Sequence, residues 1–278
     1  MSDNSQVNFD MVRNDPNVAI AIALAKGAGE ILLDRPADLQ VQTKSTATDV
    51  VSEMDQRAEA YLVTELTKLC PQDSILGEEG ANKAGSSGKQ WVIDPLDGTV
   101  NYLHNLPHWC VSIGLVDESS RAGIAGVIYL PETGQMYISS RGLGAWELTA
   151  NLHRKLQTST CTDLSQALIA TGFGYSVPRR VGQARVLNAV LPQIADIRRM
   201  GSCAIDLCYL ADGIFDGYYE RGVLPWDHAA GGLIAREAGA IVGGINGDLE
   251  SEEIMVAATP GIHDQLVSIL KINNADQD

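Results

Sequence analysis

The chain has 278 residues, of which 45% are hydrophobic, and this length and composition suit one large globular domain or two domains of modest size. Its formal net charge of −15 disfavours bulk electrostatic binding to nucleic acid or to an anionic membrane, so a phosphorylated ligand would need local cations. The polar N-terminus and the lack of a run of about 18 apolar residues argue against a signal peptide or a membrane span, and predict a cytoplasmic protein.

Two helices are predicted in the first seventy residues. The segment NVAIAIALAKGAGEILLD (17–34) follows Asp15-Pro16 and is apolar on most faces, as expected for a helix that lies between other layers. After a polar stretch, SEMDQRAEAYLVTELTKL has helical periodicity, and Ser52 and Asp55 have the spacing of a capping box. The second helix is therefore predicted to begin near Ser52.

Short runs rich in β-branched and aromatic residues follow, and they predict an antiparallel sheet. These runs are SILGEEG, QWVID, VSIGLVD, AGIAGVIYLP and QMYISSRG. From about Thr158, strand-like and helical segments alternate, as in a layered α/β unit. This change predicts an N-terminal α+β domain over residues 1–156 and a C-terminal α/β domain over residues 157–278.

The segment WVIDPLDGTVNYL (91–103) places Asp94 and Asp97 three residues apart where an apolar run stops. An ordinary turn is one interpretation, because Pro95 presets φ and Gly98 permits positive φ. A turn needs only one capping carboxylate, however, and two carboxylates that converge repel each other unless a cation lies between them. The segment therefore indicates a cation site, provided that further acids join the pair.

Two other segments supply such acids. In LGEEG, Glu78 follows a short strand, and in PWDHAAGG, Asp227 opens a helix of small residues. Each also has a structural interpretation, an exposed turn for Glu78 and helix capping for Asp227. Together with Asp94 and Asp97 they form a set of carboxylates without a convergent His or Cys, which favours Mg²⁺ over Zn²⁺. Two ions about 3.5–4 Å apart are a known arrangement for in-line displacement at phosphorus.

The segments GEEG and WVIDPLDGTVNYLHNLP, followed much later by GYYERGVLPWDHAAGGLIAREAGA, resemble the two signatures of the inositol monophosphatase family of magnesium-dependent, lithium-sensitive phosphatases. The likeness also includes TDVVSEMDQ and RRMGSCAIDLCYLADG, and it extends from about residue 17 to residue 260. It implies an α/β fold, the layered αβαβα sandwich of the inositol monophosphatase and fructose-1,6-bisphosphatase type. The acids would then meet in a cleft between the two domains, and the protein would form a homodimer.

The resemblance also implies how two Mg²⁺ ions would be held. Glu78, Asp94 and the carbonyl of Leu96 correspond to the ligands of the first ion, and Glu78 also belongs to the catalytic group. Asp94, Asp97 and Asp227 correspond to the ligands of the second ion, so that Asp94 would bridge the two. A third, weaker ion would lie near Glu78.

Four further residues match positions around the phosphate in this family. The backbone at Gly98 and Thr99 would receive phosphate oxygens, as helix N-termini do. Thr99 and Asp55 would orient the attacking water and help to deprotonate it, although capping of a helix is an equally direct role for Asp55. Lys44 corresponds to a lysine of a mobile loop near the ions, and a solvated loop lysine is its ordinary interpretation.

Substrate contacts are implied at the other side of the cleft. Glu220 in YYERG matches the acid that accepts hydrogen bonds from substrate hydroxyls, and an exposed strand-end glutamate is the structural alternative. Ser202, Cys203 and Ala204 fall where the backbone of the family lines the substrate ring, and Asp227 would contact substrate as well as metal.

The resemblance predicts an enzyme that hydrolyses a phosphate monoester by in-line attack of water, with the ions stabilising the departing alkoxide. Glu220 favours inositol 1-phosphate, so the expected partner is a small phosphorylated polyol, and neither nucleic acid nor membrane. Pro225 before Trp226 also occurs in relatives that act on other phosphates. Histidinol phosphate, fructose 1,6-bisphosphate and 3′-phosphoadenosine phosphate therefore stay alternatives. A catalytically idle scaffold of the same fold is the alternative outside the enzyme class.

Overall fold

The computed structural model describes residues 3–36, 38–44, 50–150 and 152–277. These residues form eight α-helices, which are α1 (Asp3–Arg13), α2 (Pro16–Leu33), α3 (Glu53–Leu69), α4 (Thr99–Leu103), α5 (Val177–Val190), α6 (Cys203–Ala211), α7 (Pro225–Glu237) and α8 (His263–Ile272). Two short 3₁₀ helices cover Leu164–Gln166 and Leu191–Gln193.

Fifteen strands in the described residues form three sheets. A two-stranded antiparallel sheet contains β1 (Val41–Thr43) and β2 (Val50–Ser52). The largest sheet has eight strands, which are β3 (Ser74–Gly77), β4 (Asn82–Lys83), β5 (Lys89–Asp97), β6 (Cys110–Asp117), β7 (Gly123–Leu130), β8 (Gln135–Ser140), β9 (Ala145–Leu148) and β10 (His153–Lys155). The third sheet has five, which are β11 (Leu168–Thr171), β12 (Asp196–Arg198), β13 (Gly217–Glu220), β14 (Ile241–Gly243) and β15 (Met255–Ala258).

The eight-stranded sheet has the order β10-β9-β8-β7-β6-β5-β3-β4. All its pairs are antiparallel except β3 with β5, which is parallel. The prediction of an antiparallel sheet is therefore wrong at this one pair. The reason is β4, which runs antiparallel to β3 along its outer edge. The loop after β4 reverses the chain once more, so β5 runs in the same direction as β3.

The helices and the two large sheets alternate in five layers. Helices α2 and α3 cover the outer face of the eight-stranded sheet, with α2 against β6 and β7 and α3 against β5. Helices α6 and α7 contact both large sheets and form the middle layer, and α8 packs on β15 beside α5. The five-stranded sheet has the order β12-β11-β13-β15-β14. This is the αβαβα sandwich that the family resemblance implies.

The predicted domain boundary at residues 156/157 falls between β10 and β11, which is also the division between the two large sheets. Helices α6 and α7 follow this boundary in the chain, yet they pack on the eight-stranded sheet as well as on the five-stranded one. Because the two sheets share this buried middle layer, the division into two domains stays a prediction.

Helix α2 is long and apolar enough to cross a membrane by length and composition alone. In the structure it is an outer layer, with buried residues such as Ala21, Leu24 and Ala28 in the N-terminal core and with Lys26 and Glu30 exposed. The prediction that α2 lies between layers is therefore wrong. One face of the helix packs on the sheet through small side chains, and the opposite face is exposed to solvent.

Helix α3 begins where the sequence predicts. Ser52 is its N-cap, and its backbone N–H donates to Asp55 Oδ2 at 2.9 Å, which completes the predicted capping box. Helices α1 and α8 are not predicted from the sequence. In α1 only Phe9 and Val12 are buried among the side chains described, so its apolar signal is weak.

Candidate active site

A β-bulge at the end of β5 explains the spacing of Asp94 and Asp97. Asp94 lies opposite Ser112 on β6 and Asp97 opposite Cys110, so three steps on β5 match two steps on β6. The extra residue changes the alternation of side chains along the strand, and both carboxylates reach the same cleft. Pro95 lies within the bulge, where its missing N–H costs no regular ladder bond.

Gly98 follows the bulge and requires a glycine for two reasons. Its φ of 97° is in the left-handed region, and an added Cβ would lie 2.8 Å from the carbonyl oxygen of His108. This turn places Thr99 at the first position of α4. Thr99 Oγ1 is 3.0 Å from Asp55 Oδ1 and 3.1 Å from the carbonyl oxygen of Leu96, so its proton can be donated to either.

A cleft of about 430 Å³ lies where the C-terminal ends of β3, β5 and β13 meet the N-terminal ends of α6 and α7. It brings together most of the residues that the sequence selects. The selected residues that line the cleft are Lys44, Glu78, Asp94, Leu96, Asp97, Gly98, Thr99, Ser202, Cys203, Glu220 and Asp227.

Two selected residues do not line the cleft. Asp55 is fully buried behind Thr99, and one carboxylate oxygen contacts Thr99 while the other caps α3, so both of its predicted contacts are present. Ala204 is also fully buried, and its backbone N–H donates to Asp97 Oδ2 at 2.7 Å. Its N–H is therefore already used by a protein carboxylate, and the contact of its backbone with the substrate ring stays a prediction.

Each of the three aspartates accepts hydrogen bonds from the protein at one oxygen. Asp97 Oδ2 accepts from Ala204 and, at 2.7 Å, from Oγ of Ser202, the N-cap of α6. Asp227 Oδ2 accepts from the N–H of Leu224 at 2.6 Å, in the first turn of α7. Asp94 Oδ1 accepts from the N–H of Leu96 at 2.9 Å. Asp227 therefore caps α7 and also lines the cleft.

The carboxylates repel one another in a buried site. Asp94 is 1% exposed, and burial, together with the charges of Glu78, Asp97 and Asp227, raises its pKa well above the usual range. Burial, together with the charges of Asp97, Glu78 and Glu220, raises the pKa of Asp227 well above its usual value. Burial also raises the pKa of Asp97 to about 6, although the hydrogen bonds from Ser202 and Ala204 oppose the change. Divalent cations would relieve this repulsion, so the donor set suits hard cations in its charge and its oxygen chemistry.

Lys44 neutralises part of this charge. Its Nζ is 2.8 Å from Glu78 Oε1 and 2.6 Å from Glu79 Oε1. Burial lowers the pKa of Lys44, but the two carboxylates outweigh burial and the pKa is raised. Among the described residues, no three His, Cys, Asp or Glu side chains are arranged as a formed metal site. Glu78 Oε1 instead accepts from Lys44, and one oxygen of each aspartate accepts from a backbone N–H or a hydroxyl group.

The sequence model of the inositol monophosphatase family matches residues 13–275. The chain belongs to this family. It is 42% identical over 238 residues to the inositol-1-monophosphatase of Mycobacterium leprae, an alignment that covers 83% of this chain and 81% of the relative. It is 39% identical over 261 residues to the Nus factor SuhB of Pasteurella multocida, covering 91% of this chain and 95% of the relative.

The fold of this inositol monophosphatase family member also matches that of solved structures. The extragenic suppressor protein suhB from Bartonella henselae matches with a TM-score of 0.83 and 34% identity, over 91% of this chain and 97% of that chain. The family and the layered fold that the two signatures predict are therefore confirmed.

Four charged residues of the cleft are not predicted from the sequence. They are Arg179, Arg199, Asp206 and Glu252. Asp206 lies in the first turn of α6, where an acid is explained by the helix dipole, so the sequence contains no signal that distinguishes it from a capping residue. The arginines are ordinary surface cations by sequence, and only the fold brings them to the cleft.

Proposed function

We propose that this member of the inositol monophosphatase family hydrolyses phosphate monoesters in the cleft, and that inositol 1-phosphate is its substrate. The observation that carries the proposal is the group of Asp94, Asp97 and Asp227, three carboxylates that line one cleft. The charges of Asp97 and Asp227 raise the pKa of Asp94, and the charge of Asp97 raises that of Asp227. Family membership and the likeness to an inositol-1-monophosphatase of M. leprae support the same reaction class.

The acids would hold two or three Mg²⁺ ions. Glu78, Asp94 and the Leu96 carbonyl would hold the first, and Asp94, Asp97 and Asp227 the second, with Glu78 also near a third. Bound ions would neutralise the acids, activate water and stabilise the departing oxygen. Lys44 pairs with Glu78 through a single point charge, which a divalent ion at Glu78 would replace.

Thr99 and Asp55 would handle the proton of the attacking water. Asp55 Oδ1 can accept the Thr99 hydroxyl hydrogen, and this leaves a lone pair of Thr99 Oγ1 free to accept a hydrogen bond from water in the cleft. The backbone N–H groups of Gly98 and Thr99 would receive phosphate oxygens beside them. Both groups are placed by the glycine turn that begins α4.

Glu220 is the main support for a polyol substrate. Tyr218 Oη donates to Glu220 Oε2 at 2.8 Å, and a Cβ at Gly172 would come within 1.9 Å of the same oxygen, so the side chain is held against a glycine. Glu220 is half-buried and lines the cleft, in contrast to the exposed strand-end residue of the structural alternative. A fixed carboxylate at this place can accept hydrogen bonds from vicinal hydroxyls.

Phosphate release from a panel of esters tests the proposal. The panel contains inositol 1-phosphate, histidinol phosphate, fructose 1,6-bisphosphate, 3′-phosphoadenosine phosphate and p-nitrophenyl phosphate, each with Mg²⁺ and with a chelator. We expect Mg²⁺-dependent release, fastest from inositol 1-phosphate. If folded protein hydrolyses none of them, the scaffold alternative replaces the phosphatase proposal.

Three further properties belong to the proposal. Li⁺ is expected to compete for the second ion position at Asp97 and Asp227 after turnover, which would make its inhibition uncompetitive with substrate. Competitive inhibition, or none when Na⁺ serves as control, would contradict that site. We also propose a cytoplasmic homodimer, which sedimentation and fractionation would test, and no function on nucleic acid or membranes.

A further inference from the structure

Asp206 is a buried carboxylate of the cleft that the proposed mechanism does not use. It lies in the first turn of α6, it lines the cleft, and it is only 1% exposed. Within the described part of the chain, its Oδ1 has no hydrogen-bond partner. Asp94, Asp97 and Asp227 each accept a hydrogen bond from a protein donor at one carboxylate oxygen.

An unpaired carboxylate oxygen in a buried site destabilises a folded protein, because the oxygen loses its hydration and gains no hydrogen bond. Such an atom in a native structure has a reason, and a ligand that arrives from the cleft is one. Burial raises the pKa of Asp206 well above its usual value, and the charges of Glu220 and Asp97 add to the effect. This agrees with a carboxylate whose lost hydration is not replaced by hydrogen bonds.

The surroundings of Asp206 define what kind of group would pair with it. Glu220 and Asp97 bring negative charge near it, and Arg199 is the cation that opposes them. Two hydroxyl donors of the cleft are already used, since the Tyr218 hydroxyl donates to Glu220 and the Ser202 hydroxyl donates to Asp97. A ligand group beside Asp206 and Glu220 must therefore bring its own N–H or O–H hydrogens. A second phosphate would instead face two carboxylates.

We propose that Asp206 is a second specificity-determining residue, whose Oδ1 accepts a hydrogen bond from a hydrogen-bond donor on the leaving group of the substrate. This inference rests on the proposed phosphatase function and narrows its substrate class. Asp206 and Glu220 together select esters whose leaving group presents several donors, as a polyol does. They act against leaving groups that carry another phosphate.

Two substitutions separate this role from a structural one. Asp206→Asn keeps the volume and an acceptor oxygen but removes the charge, and Asp206→Ala removes the acceptor. We expect Asp206→Ala to lower kcat/KM for inositol 1-phosphate by about tenfold or more, and Asp206→Asn to lower it less. Hydrolysis of p-nitrophenyl phosphate, whose leaving group has no donor, should change by less than about twofold.

The other esters identify the donor. Histidinol phosphate presents an ammonium group as well as an imidazole N–H. A larger loss of kcat/KM on this ester than on inositol 1-phosphate would therefore support an ammonium donor. A larger loss on inositol 1-phosphate would support hydroxyl donors. Fructose 1,6-bisphosphate should be hydrolysed faster by Asp206→Asn than by the unmodified protein, because one repelling carboxylate is lost.

Asp73→Asn is the matched control. Asp73 is a buried aspartate that accepts from Trp91 Nε1 at 2.9 Å and does not line the cleft. This substitution should leave the ratio of kcat/KM between the two esters unchanged. Asp206→Asn is the deciding variant if Asp206→Ala does not fold. If Asp206→Asn lowers kcat/KM equally for both esters, or for neither, the inference about Asp206 is overturned while the proposed phosphatase function stands. If the unmodified protein hydrolyses no ester, the proposed function fails as well.

Discussion

The two ends of the cleft are built in different ways. At the acid end, Asp94, Asp97 and Thr99 come from six consecutive residues that a bulge and a glycine turn place together. At the leaving-group end, Asp206 comes from α6 and Glu220 from β13, and the fold alone brings them together. The acid end would contact the phosphate that all candidate esters share, whereas the other end would contact the part in which they differ. Substitutions at the two ends should therefore have different effects across a panel of esters.

Asp94→Asn should have the largest effect. It removes one charge from the proposed bridge between two ions, and the loss of this ligand should lower kcat/KM for every ester by about a thousandfold or more. The fold should persist, because the amide oxygen can still accept from the Leu96 N–H. Steady-state rates and a thermal melt by circular dichroism measure the two effects. A near-normal rate would exclude Asp94 as a shared ligand, and Asp73→Asn is the control for a buried aspartate elsewhere.

Glu220→Gln should have a smaller and selective effect. The substitution keeps the shape but removes the charge that strengthens hydrogen bonds from substrate hydroxyls, so kcat/KM for inositol 1-phosphate should fall about tenfold. The rate with p-nitrophenyl phosphate should change little, because the acids that would hold the ions are untouched. Equal losses on both esters would show that Glu220 supports the fold or the acid end instead, and the two ends would then not be separable.

The pH dependence of selectivity should identify the same residue. Burial raises the pKa of Glu220 to about 7, although the hydrogen bond from Tyr218 and the charge of Arg199 oppose the change. Glu220 accepts best when it is ionised, so the preference for inositol 1-phosphate over p-nitrophenyl phosphate should decrease as the pH falls through about 7. The ratio of the two kcat/KM values measures this preference. In Glu220→Gln the ratio should be flat over the same range, and a flat ratio in the unmodified protein would contradict the assignment.

The smallest expected effect is on stability at the acid end. The pKa of Asp97 is about 6 in the folded protein against an ordinary 3.8, so the folded state binds this proton more tightly than the unfolded state does. The stabilising contribution of protonated Asp97 is therefore fully present below its ordinary pKa of 3.8, and it is lost as the pH rises through about 6. The melting temperature in a chelator should decrease over this window. Added Mg²⁺ should restore it by a few degrees at a pH of about 8, where the acids are ionised.

Asp94→Asn supplies the control for this measurement. If the ions bind where we propose, Mg²⁺ should stabilise this variant less than the unmodified protein. An equal shift in both proteins would place the stabilising ion elsewhere.

Features that depend on neighbours in the chain are predicted well from the sequence. The capping box of α3, the need for glycine at residue 98 and the family signatures all rest on residues a few positions apart, and the structure or the comparisons agree with each. The acids of the cleft are found for the same reason, because two of them lie in one short signature. The roles of the individual site residues stay predictions until the variants are measured.

Features that depend on distant partners are decided by the tertiary structure. The sequence determined which oxygen ligands the chain offers and where α3 begins, and its resemblance to the family implied the αβαβα layers. The parallel pairing of β3 with β5 depends on the return of β4 along the sheet edge. The backbone N–H of Ala204 is used by Asp97, 107 residues earlier in the chain. Among the residues that the structure describes, Asp206 Oδ1 has no hydrogen-bond partner. Local chemistry selects a residue's candidate roles, but burial and partners depend on which distant segments pack beside it, and packing is a property of the whole fold.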